Sequence, residues 1–334
     1  MNIRENLEYL EKEYLSPYAA HSIDSKGRLR PEEQCDIRPV YQRDRDRILH
    51  SKSFRRLKDK TQVFLSPEGD HYRTRLTHTL EVSQNARTIA KALRMNEDLV
   101  EAIALGHDLG HTPFGHAGER ALNAVCPYGF SHSDQSVRIV DLLEKGGQGL
   151  NLTYEVRDGI RNHQTKGMPE TLEGKIVRFS DKIAYVHHDM DDAIRAGILK
   201  ESDVPKDICE VIGFTTGERL DHFIHDIVST SYGKDDIMMS EPVAQAMNKL
   251  RGFMFERVYQ NKEAKSEESK AEMLVQTLYS YYRHHLELLS GDWINLIKNG
   301  EPEERIVCDY IAAMTDRFAI SKYEEIYIPK SWQL

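Results

Sequence analysis

Apolar residues recur at helical spacing along most of this chain. Leu99, Val100, Ile103 and Ala104 illustrate the pattern, because residues three or four apart share one face of an α-helix. The same spacing predicts a first helix within residues 1–15. It then predicts helices, with ends placed to about 2 to 4 residues, over 42–60, 74–94, 97–110, 116–126, 132–145, 152–165, 170–197, 216–232, 240–262, 267–290 and 302–321.

One short segment has a different pattern. Residues 62–72 alternate loosely between apolar and polar positions around a Ser-Pro-Glu-Gly-Asp turn, which favours a short β-hairpin. The predicted fold is therefore all-α with one hairpin. We divide it into an N-terminal arm over residues 1–40, a helical core over 41–200 and a C-terminal helical lobe over 201–334 that packs on the core.

Composition narrows the class of protein. The chain has 334 residues, 40% hydrophobic and 30% charged, which is typical of a globular protein of one or two domains. No stretch approaches the roughly 18 apolar residues of a membrane span, so we expect a cytoplasmic protein without a membrane partner. A net charge of -9 argues against nucleic acid as the main partner. Eight lysines and arginines nevertheless cluster between Arg43 and Lys60, either as a solvated helix face or as a cationic wall for a polyphosphate.

Candidate chemistry is concentrated between residues 102 and 119, which contain three histidines and two carboxylates. His107 and Asp108 follow an apolar helical segment, and an imidazole beside a carboxylate suits a divalent first-row metal ion. Gly110 and Pro113 end that helix. His116 and Glu119 then share one face of the next helix at i, i+3 spacing, so that the carboxylate is able to orient the imidazole.

Two distant residues strengthen this interpretation. His78 lies on a helix whose apolar stripe leaves its side chain free to face a cleft. Asp181 interrupts an otherwise apolar segment, where an unpaired charge would be costly. An adjacent His-Asp pair is a weak signal alone, but these companions on separate helical segments favour a shared site.

His78, His107, Asp108 and Asp181 resemble, in this order, the metal-ligand pattern of the HD superfamily of metal-dependent phosphohydrolases. The blocks at 47–64, around Arg75 and at 107–119 are similar to the bacterial dGTPase-like deoxynucleoside triphosphate triphosphohydrolases, over roughly residues 40 to 262. The resemblance implies an HD-domain helical core and a divalent metal ion. The identity of the ion stays open among manganese, magnesium, iron, cobalt and nickel.

The resemblance also implies roles for individual residues. Those expected to act in catalysis are His111, His116 and Glu119. Those expected to contact the substrate are Gln62, Arg75, His132, Lys182, Tyr185, Asp189, Arg251 and Tyr259. Structural interpretations stay open for several of them: Tyr185 as a core aromatic, Asp189 and Arg251 as surface residues, and His132 as the neighbour of a helix cap. The remaining histidines, including His163, His187 and His188, are interpreted as structural or solvated.

The implied reaction is the hydrolysis of a dNTP to a deoxynucleoside and inorganic triphosphate, with dGTP as one candidate for the preferred substrate. Two alternatives stay open. One is another HD phosphohydrolase, such as a nucleoside monophosphatase, a cyclic-dinucleotide phosphodiesterase or an alarmone hydrolase. The other is a nucleotide-sensing regulator that has lost turnover. By resemblance we expect a homo-oligomer, and activation by an allosteric nucleotide stays open.

Overall fold

The computed structural model describes residues 1–62, 73–259 and 262–330, except for the side chains of residues 259 and 262–266. Within these ranges the chain forms helices and turns but no β-strand, which confirms the predicted all-α class. The α-helices are α1 (Ile3–Tyr14), α2 (Val40–Leu49), α3 (Lys52–Arg56), α4 (Arg75–Leu93), α5 (Glu97–Gly106), α6 (Gly115–Val125), α7 (His132–Arg138), α8 (Tyr154–Asn162), α9 (Leu172–Arg195), α10 (Lys206–Ile212), α11 (Thr216–Ser231), α12 (Glu241–Met254), α13 (Lys262–His284), α14 (Gly291–Lys298), α15 (Glu303–Ala312) and α16 (Asp316–Tyr327).

Two predicted helices are each split by a hydroxyl cap. Ser51 accepts a hydrogen bond from the backbone of Phe54 and starts α3, so the segment 42–60 holds two short helices. Thr315 accepts from the backbone of Phe318 and starts α16. A hydroxyl at such a position satisfies an N–H that has no partner within the helix. Two π-helical turns, Ile139–Leu143 and Phe255–Tyr259, extend α7 and α12. The structure also contains two helices that the sequence analysis did not predict, α10 and α14.

The predicted β-hairpin lies almost wholly outside the described residues. At its flanks, Thr61 and Thr74 form one isolated antiparallel bridge. No strand extends from this bridge into residues 1–62 or onward from residue 73, so the structure does not support the hairpin. Loose alternation over so few positions is a weak strand signal.

The N-terminal arm packs on the core of its own chain. Arg28 pairs with the buried carboxylate of Asp44 and forms an isolated bridge with Thr153. Deeper in the core, the carboxylate of Glu173 accepts hydrogen bonds from the backbone N–H groups of Ala20 and Asn96, at 2.9 and 3.0 Å. The arm thereby satisfies polar groups of helices that belong to the predicted core.

The helices that carry the predicted metal ligands pack in the larger of the two hydrophobic clusters among the described residues. Helices α4, α5 and α9 pack on one another there through buried residues such as Ile89, Ile103 and Ile176. Each fully buried aliphatic side chain of this kind contributes about 1.5–3 kcal/mol. The cluster therefore holds the three ligand-bearing helices rigidly together.

Helix α6 belongs to the second cluster. Its residues Ala117, Ala121 and Leu122 are buried together with Val275 and Leu278 of α13. Helix α6, which carries His116, is thus positioned by the C-terminal helices, although its sequence continues the predicted metal motif. The division of the chain at residues 40 and 200 stays a prediction.

Candidate active site

Four predicted metal ligands converge from three helices. Nε2 of His78 on α4 lies 3.2 Å from Oδ1 of Asp181 on α9. Nε2 of His107, just after α5, lies 3.3 Å from Oδ1 of Asp108 and 3.8 Å from Oδ1 of Asp181. Donor atoms that bind one cation at about 2.1 Å lie about 3 to 3.5 Å apart. These spacings therefore fit one divalent cation with only small adjustments.

The state of His107 supports the same interpretation. Its Nδ1–H donates to the backbone carbonyl of Ala104 at 2.7 Å. The proton is thus on Nδ1, and Nε2 keeps its lone pair. Nε2 is buried and has no hydrogen-bond partner among the described residues. An unsatisfied buried acceptor is costly. A cation beside Asp108 and Asp181 would satisfy it.

Both carboxylates are held in the charged form. Burial acts to raise the pKa of Asp108, but His107, His111 and Arg75 outweigh burial and keep that pKa well below its ordinary value. Burial acts in the same direction on Asp181, whose pKa is nevertheless lowered, mainly by its hydrogen bond with His78. Both groups are thus anionic, as ligands of a divalent cation must be.

Arg75 lies beside this cluster and not in the open pocket. Its Nη1 donates to Oδ2 of Asp108 at 2.9 Å, and its Nη2 donates to the backbone carbonyl of Gln62 at 3.3 Å. Only 2% of Arg75 is exposed. In this structure its role is to anchor Asp108, and a contact with substrate stays a prediction.

The loop between α5 and α6 depends on close backbone packing. A Cβ on Gly110 would lie 2.3 Å from the backbone carbonyl oxygen of His132, so only glycine lets the loop touch α7. Phe114 begins α6 in the left-handed region, with φ 62°, and its N–H donates to Asp316 at 3.0 Å. Beneath the loop, the buried ammonium of Lys60 donates to the carbonyls of His111 and Ala312.

Two predicted histidines, His116 from the catalytic group and His132 from the substrate-contact group, meet at Glu119. Nδ1 of His132 lies 2.9 Å from Oε2 of this carboxylate, and the backbone N–H of His132 donates to Oε1 at 2.8 Å. Nδ1 of His116 lies further away, 3.4 Å from Oε2. Glu119 therefore contacts His116 as predicted, but its shorter hydrogen bonds orient His132.

His111, His132 and Asp108 form a second group with the composition of a metal site. The rings of His111 and His132 are stacked, however, with centroids 3.8 Å apart and an interplanar angle of 20°. Imidazole lone pairs lie in the ring plane, so two stacked rings cannot both direct them at one ion. Nε2 of His111 is instead 3.1 Å from Oδ1 of Asp108. We interpret this group as a hydrogen-bonded support of the metal site.

A pocket of about 730 Å³ opens beside these histidines. Four predicted residues line it: Gln62, His116, Tyr185 and Arg251. The volume is within the range of about 300–1,000 Å³ that is typical of small-molecule sites. The side chain of His116 is 53% exposed, in contrast to the buried metal ligands. His116 is therefore accessible to a molecule that enters the pocket.

Asp189, another predicted contact residue, does not line this pocket. Asp189 is buried and hydrogen-bonded to Tyr185, and burial together with nearby Asp192 raises the pKa of Asp189 well above its ordinary value. Buried Oε1 of Gln62 has no hydrogen-bond partner among the described residues. The side chain of Tyr259 lies outside the described part of the chain.

Positive charge near the pocket comes from α9 and α12, and from Arg120 of α6, which lines the pocket and pairs with Glu268 and Glu272. Burial, with Arg178 and Arg251 nearby, lowers the pKa of Lys182 to about 8. In contrast, the large pocket is lined by none of the eight basic residues between Arg43 and Lys60, all of which are described. Arg45, for example, pairs with Asp98 at 3.0 Å. The hypothesis that this segment forms a cationic wall is therefore not supported by its position.

Several residues of the site were missed by the sequence analysis. Lys60 and Asp316 hold the loop before α6, and His163 connects His132 with the metal cluster. Nε2 of His163 lies 3.3 Å from Nε2 of His132, and its ring centroid lies 5.0 Å from that of His107. Polar residues in buried helical segments were the available signal, but their partners are far away in sequence.

Comparison with known proteins identifies the class of this site. Residues 75–186 match the model of the HD domain, and residues 237–325 match that of the phosphohydrolase-associated domain. A phosphohydrolase from Bacteroides thetaiotaomicron has the same fold, with a TM-score of 0.53 and 17% identity, over 84% of this chain and 67% of that one. The protein is thus a hydrolase of the HD class.

Its relatives define the family more narrowly. A deoxyguanosinetriphosphate triphosphohydrolase-like protein from Caldanaerobacter subterraneus subsp. tengcongensis is 56% identical over 99% of this chain and 98% of its own length. Proteins of the same name from Desulfatibacillum aliphaticivorans and Clostridium perfringens are each 49% identical, over 98% and 99% of this chain and 99% of their own lengths. The chain belongs to the family of deoxyguanosinetriphosphate triphosphohydrolase-like proteins. Among the described residues, no helix is long and apolar enough to cross a membrane.

Proposed function

We propose that this protein hydrolyses deoxynucleoside triphosphates to deoxynucleoside and inorganic triphosphate. The observation that carries the proposal is the convergence of His78, His107, Asp108 and Asp181 within 3.2–3.9 Å beside a pocket that exposes His116. The names of the relatives support this substrate class. A divalent cation held by these four residues would polarise a phosphate oxygen and lower the pKa of a coordinated water towards neutrality.

The residues around the cation would position the substrate. Lys182, Arg178 and Arg251 form a cationic group next to Asp181, which suits the charge of a triphosphate. Tyr185 would face the 2′ side of the sugar, supported by Asp189 behind it. The unpaired Oε1 of Gln62 would accept a hydrogen bond from the 3′ hydroxyl.

The proposed chemistry is one displacement at the α-phosphorus. A bond forms between the oxygen of water and the α-phosphorus while the bond to the 5′ oxygen breaks. The departing 5′ oxygen then takes a proton, and exposed His116 is the group proposed to donate it. His111 would keep the carboxylate of Asp108 oriented, and Glu119 would keep the imidazole of His132 oriented. Preference for dGTP and assembly as a homo-oligomer are parts of the same proposal.

Identification of the products from a nucleotide panel tests this function. The four dNTPs and four NTPs are incubated with Mn²⁺, singly and mixed, in water enriched in ¹⁸O. We expect equal amounts of deoxynucleoside and triphosphate, with the ¹⁸O in the triphosphate. Release of orthophosphate, or of a nucleoside monophosphate, would instead indicate another phosphohydrolase. Binding without turnover under every condition would indicate a nucleotide-sensing regulator, and faster turnover only in mixtures would indicate activation by a second nucleotide.

A further inference from the structure

A second histidine lies directly behind the metal ligand His78. Nδ1 of His78 is 3.3 Å from Nδ1 of His188 on α9, and the two rings meet edge to face at 86°. Nε2 of His188 is in turn 2.7 Å from Oε2 of Glu81, which lies one turn after His78 on α4. His78 and His188 are 2% and 1% exposed. A connected path thus leads from the ligand cluster to a carboxylate at the rim of the core.

The hydrogen-bonding capacities of these groups fix where the protons lie. The carboxylate of Glu81 only accepts, so Nε2 of His188 carries a proton. With one proton on its ring, His188 presents a lone pair at Nδ1. When a cation takes the lone pair of Nε2 of His78, the ring proton lies on the facing Nδ1, which donates it to His188. Without a cation, the same proton is able to lie on Nε2 and to be donated to Asp181 at 3.2 Å.

His107 obtains the same tautomer in a simpler way. It follows the last residue of α5, where backbone carbonyls have no further helical N–H to bind, and Ala104 offers one of them at 2.7 Å. His78 lies in the first turn of α4. The carbonyl four residues earlier, that of Thr74, already accepts the N–H of His78 at 3.1 Å. Without such a free main-chain acceptor, the orientation of His78 depends on a side chain from another helix.

We propose that His188 and Glu81 are positioning residues for the metal centre, which hold His78 in its Nδ1–H tautomer with Nε2 directed at the cation. The inference rests on the metal site of the proposed function but not on the identity of the substrate. Loss of such an outer partner typically weakens metal affinity by about 10- to 100-fold. Removal of His188 is therefore expected to weaken the cation site without removing any ligand.

Substitution of His188 by residues with and without an acceptor tests the proposal. In His188→Leu no acceptor remains, whereas in His188→Asn the amide oxygen takes a place close to that of Nδ1. The dissociation constant of Mn²⁺ for the full chain is measured by competition with a chelator. We expect His188→Leu to bind Mn²⁺ about 10- to 100-fold more weakly than the wild type. His188→Asn should recover most of that loss.

Two further variants separate positioning from packing. The side chain of Glu81 is 39% exposed, so Glu81→Gln should fold, and it should weaken Mn²⁺ binding less than His188→Leu because an amide oxygen still accepts from His188. The matched control is His187→Ala, which removes the adjacent histidine. His187 bonds to none of the four ligands, so its removal should leave the affinity for Mn²⁺ unchanged. Circular dichroism of the chelated proteins verifies that each variant is folded.

The NMR signals of the His78 imidazole nitrogens provide a direct readout of the tautomer. In the wild type and in His188→Asn loaded with diamagnetic Zn²⁺, the Nδ1 proton of His78 should show a hydrogen bond, whereas His188→Leu should lose it. Equal Mn²⁺ affinity in His188→Leu and the wild type would overturn the inference while leaving the proposed function intact. The same holds if His188→Asn is as weak as His188→Leu. Conversely, loss of affinity in His188→Leu from a protein that cleaves no dNTP would support the inference and overturn the function.

Discussion

Two regions hold their polar groups in different ways: the cluster of predicted metal ligands, and the wall of the pocket, which is lined by Gln62, His116, Tyr185 and Arg251. In the cluster, His78, His107 and Asp108 are at most 3% exposed, and the atoms not directed at the cation already have hydrogen-bond partners. On the wall, His116 is 53% exposed, Gln62 keeps an unpaired oxygen and Arg251 is half-buried. The predicted ligands are thus fixed by contacts within the protein, whereas the wall keeps polar groups that a substrate would engage.

This difference determines how each region should respond to mutation. The ligands are fixed by packing and by hydrogen bonds within the protein, so binding of a cation requires little reorganisation. A substitution there is expected to act in an all-or-none manner. Groups on the wall gain their partners only when the substrate arrives, so each should contribute a separate and smaller amount to turnover or selectivity.

The largest effect is expected from the loss of a ligand. Asp181→Asn preserves the shape of the side chain but removes its charge, and His107→Ala combined with Asp108→Ala removes two donors at once. Both variants should lose bound metal and activity together, because the rings of His111 and His132 in the second described His/Asp group are stacked and cannot both direct a lone pair at one ion. Elemental analysis of the purified proteins measures this directly. Full metal content in Asp181→Asn would show that the ligand assignment is wrong.

His116 should behave as a wall residue, although its sequence adjoins the ligand motif. His116→Ala is expected to retain metal and nucleotide binding and to lose turnover by about 10²- to 10⁴-fold, which is the range for a positioned acid or base. Because this side chain is exposed, the variant should fold normally. Single-turnover kinetics together with nucleotide titration separate the two effects. Turnover close to that of the wild type would show that His116 has no role in catalysis and only forms part of the first turn of α6.

Glu119→Gln provides an intermediate case. Its carboxylate makes shorter hydrogen bonds with His132 than with His116. Turnover should therefore fall by less than in His116→Ala, with metal content unchanged. A loss larger than that of His116→Ala would indicate that His132, and not His116, depends on Glu119 for the chemistry.

The two regions also differ in how well the sequence predicts them. The four predicted ligands were singled out because His107 and Asp108 lie in one compact motif, Asp181 interrupts an apolar segment, and their order with His78 resembles the HD pattern. His188 had no such signal, since its importance arises only where α9 crosses α4. Lys60 and Asp316 support the loop before α6 from positions far from it in sequence. The prediction that residues 43–60 form a cationic wall is not supported for the same reason. Helical periodicity shows that a face is charged but not which neighbouring element it contacts.

Selectivity for the sugar should depend on Tyr185 with a moderate effect. A 2′ hydroxyl that displaces the phenol, or is buried without a partner, would cost about 1 to 3 kcal/mol, which is around 5- to 150-fold in discrimination. Tyr185→Ala should therefore increase the ratio of GTP to dGTP turnover by up to this factor. Competition between the two nucleotides measures the ratio. Equal use of GTP and dGTP by the wild type, or an unchanged ratio in the variant, would rule out this assignment.

The smallest effect is expected from the basic segment. Lys58 is 65% exposed and its ion pair with Asp59 is long, at 3.8 Å. Exposed pairs of this kind contribute about 0–1 kcal/mol, and salt screens charges beyond about 8–10 Å. Lys58→Ala should therefore leave the KM for a dNTP within about twofold of the wild type.

Arg251→Ala is the matched comparison, because Arg251 lines the pocket and lies near Lys182. Its KM should rise by about tenfold or more, since a hydrogen bond to a charged group contributes about 1.5–3 kcal/mol. Equal increases in both variants, abolished by 0.5 M salt, would mean that long-range charge and not contact with the wall attracts the triphosphate.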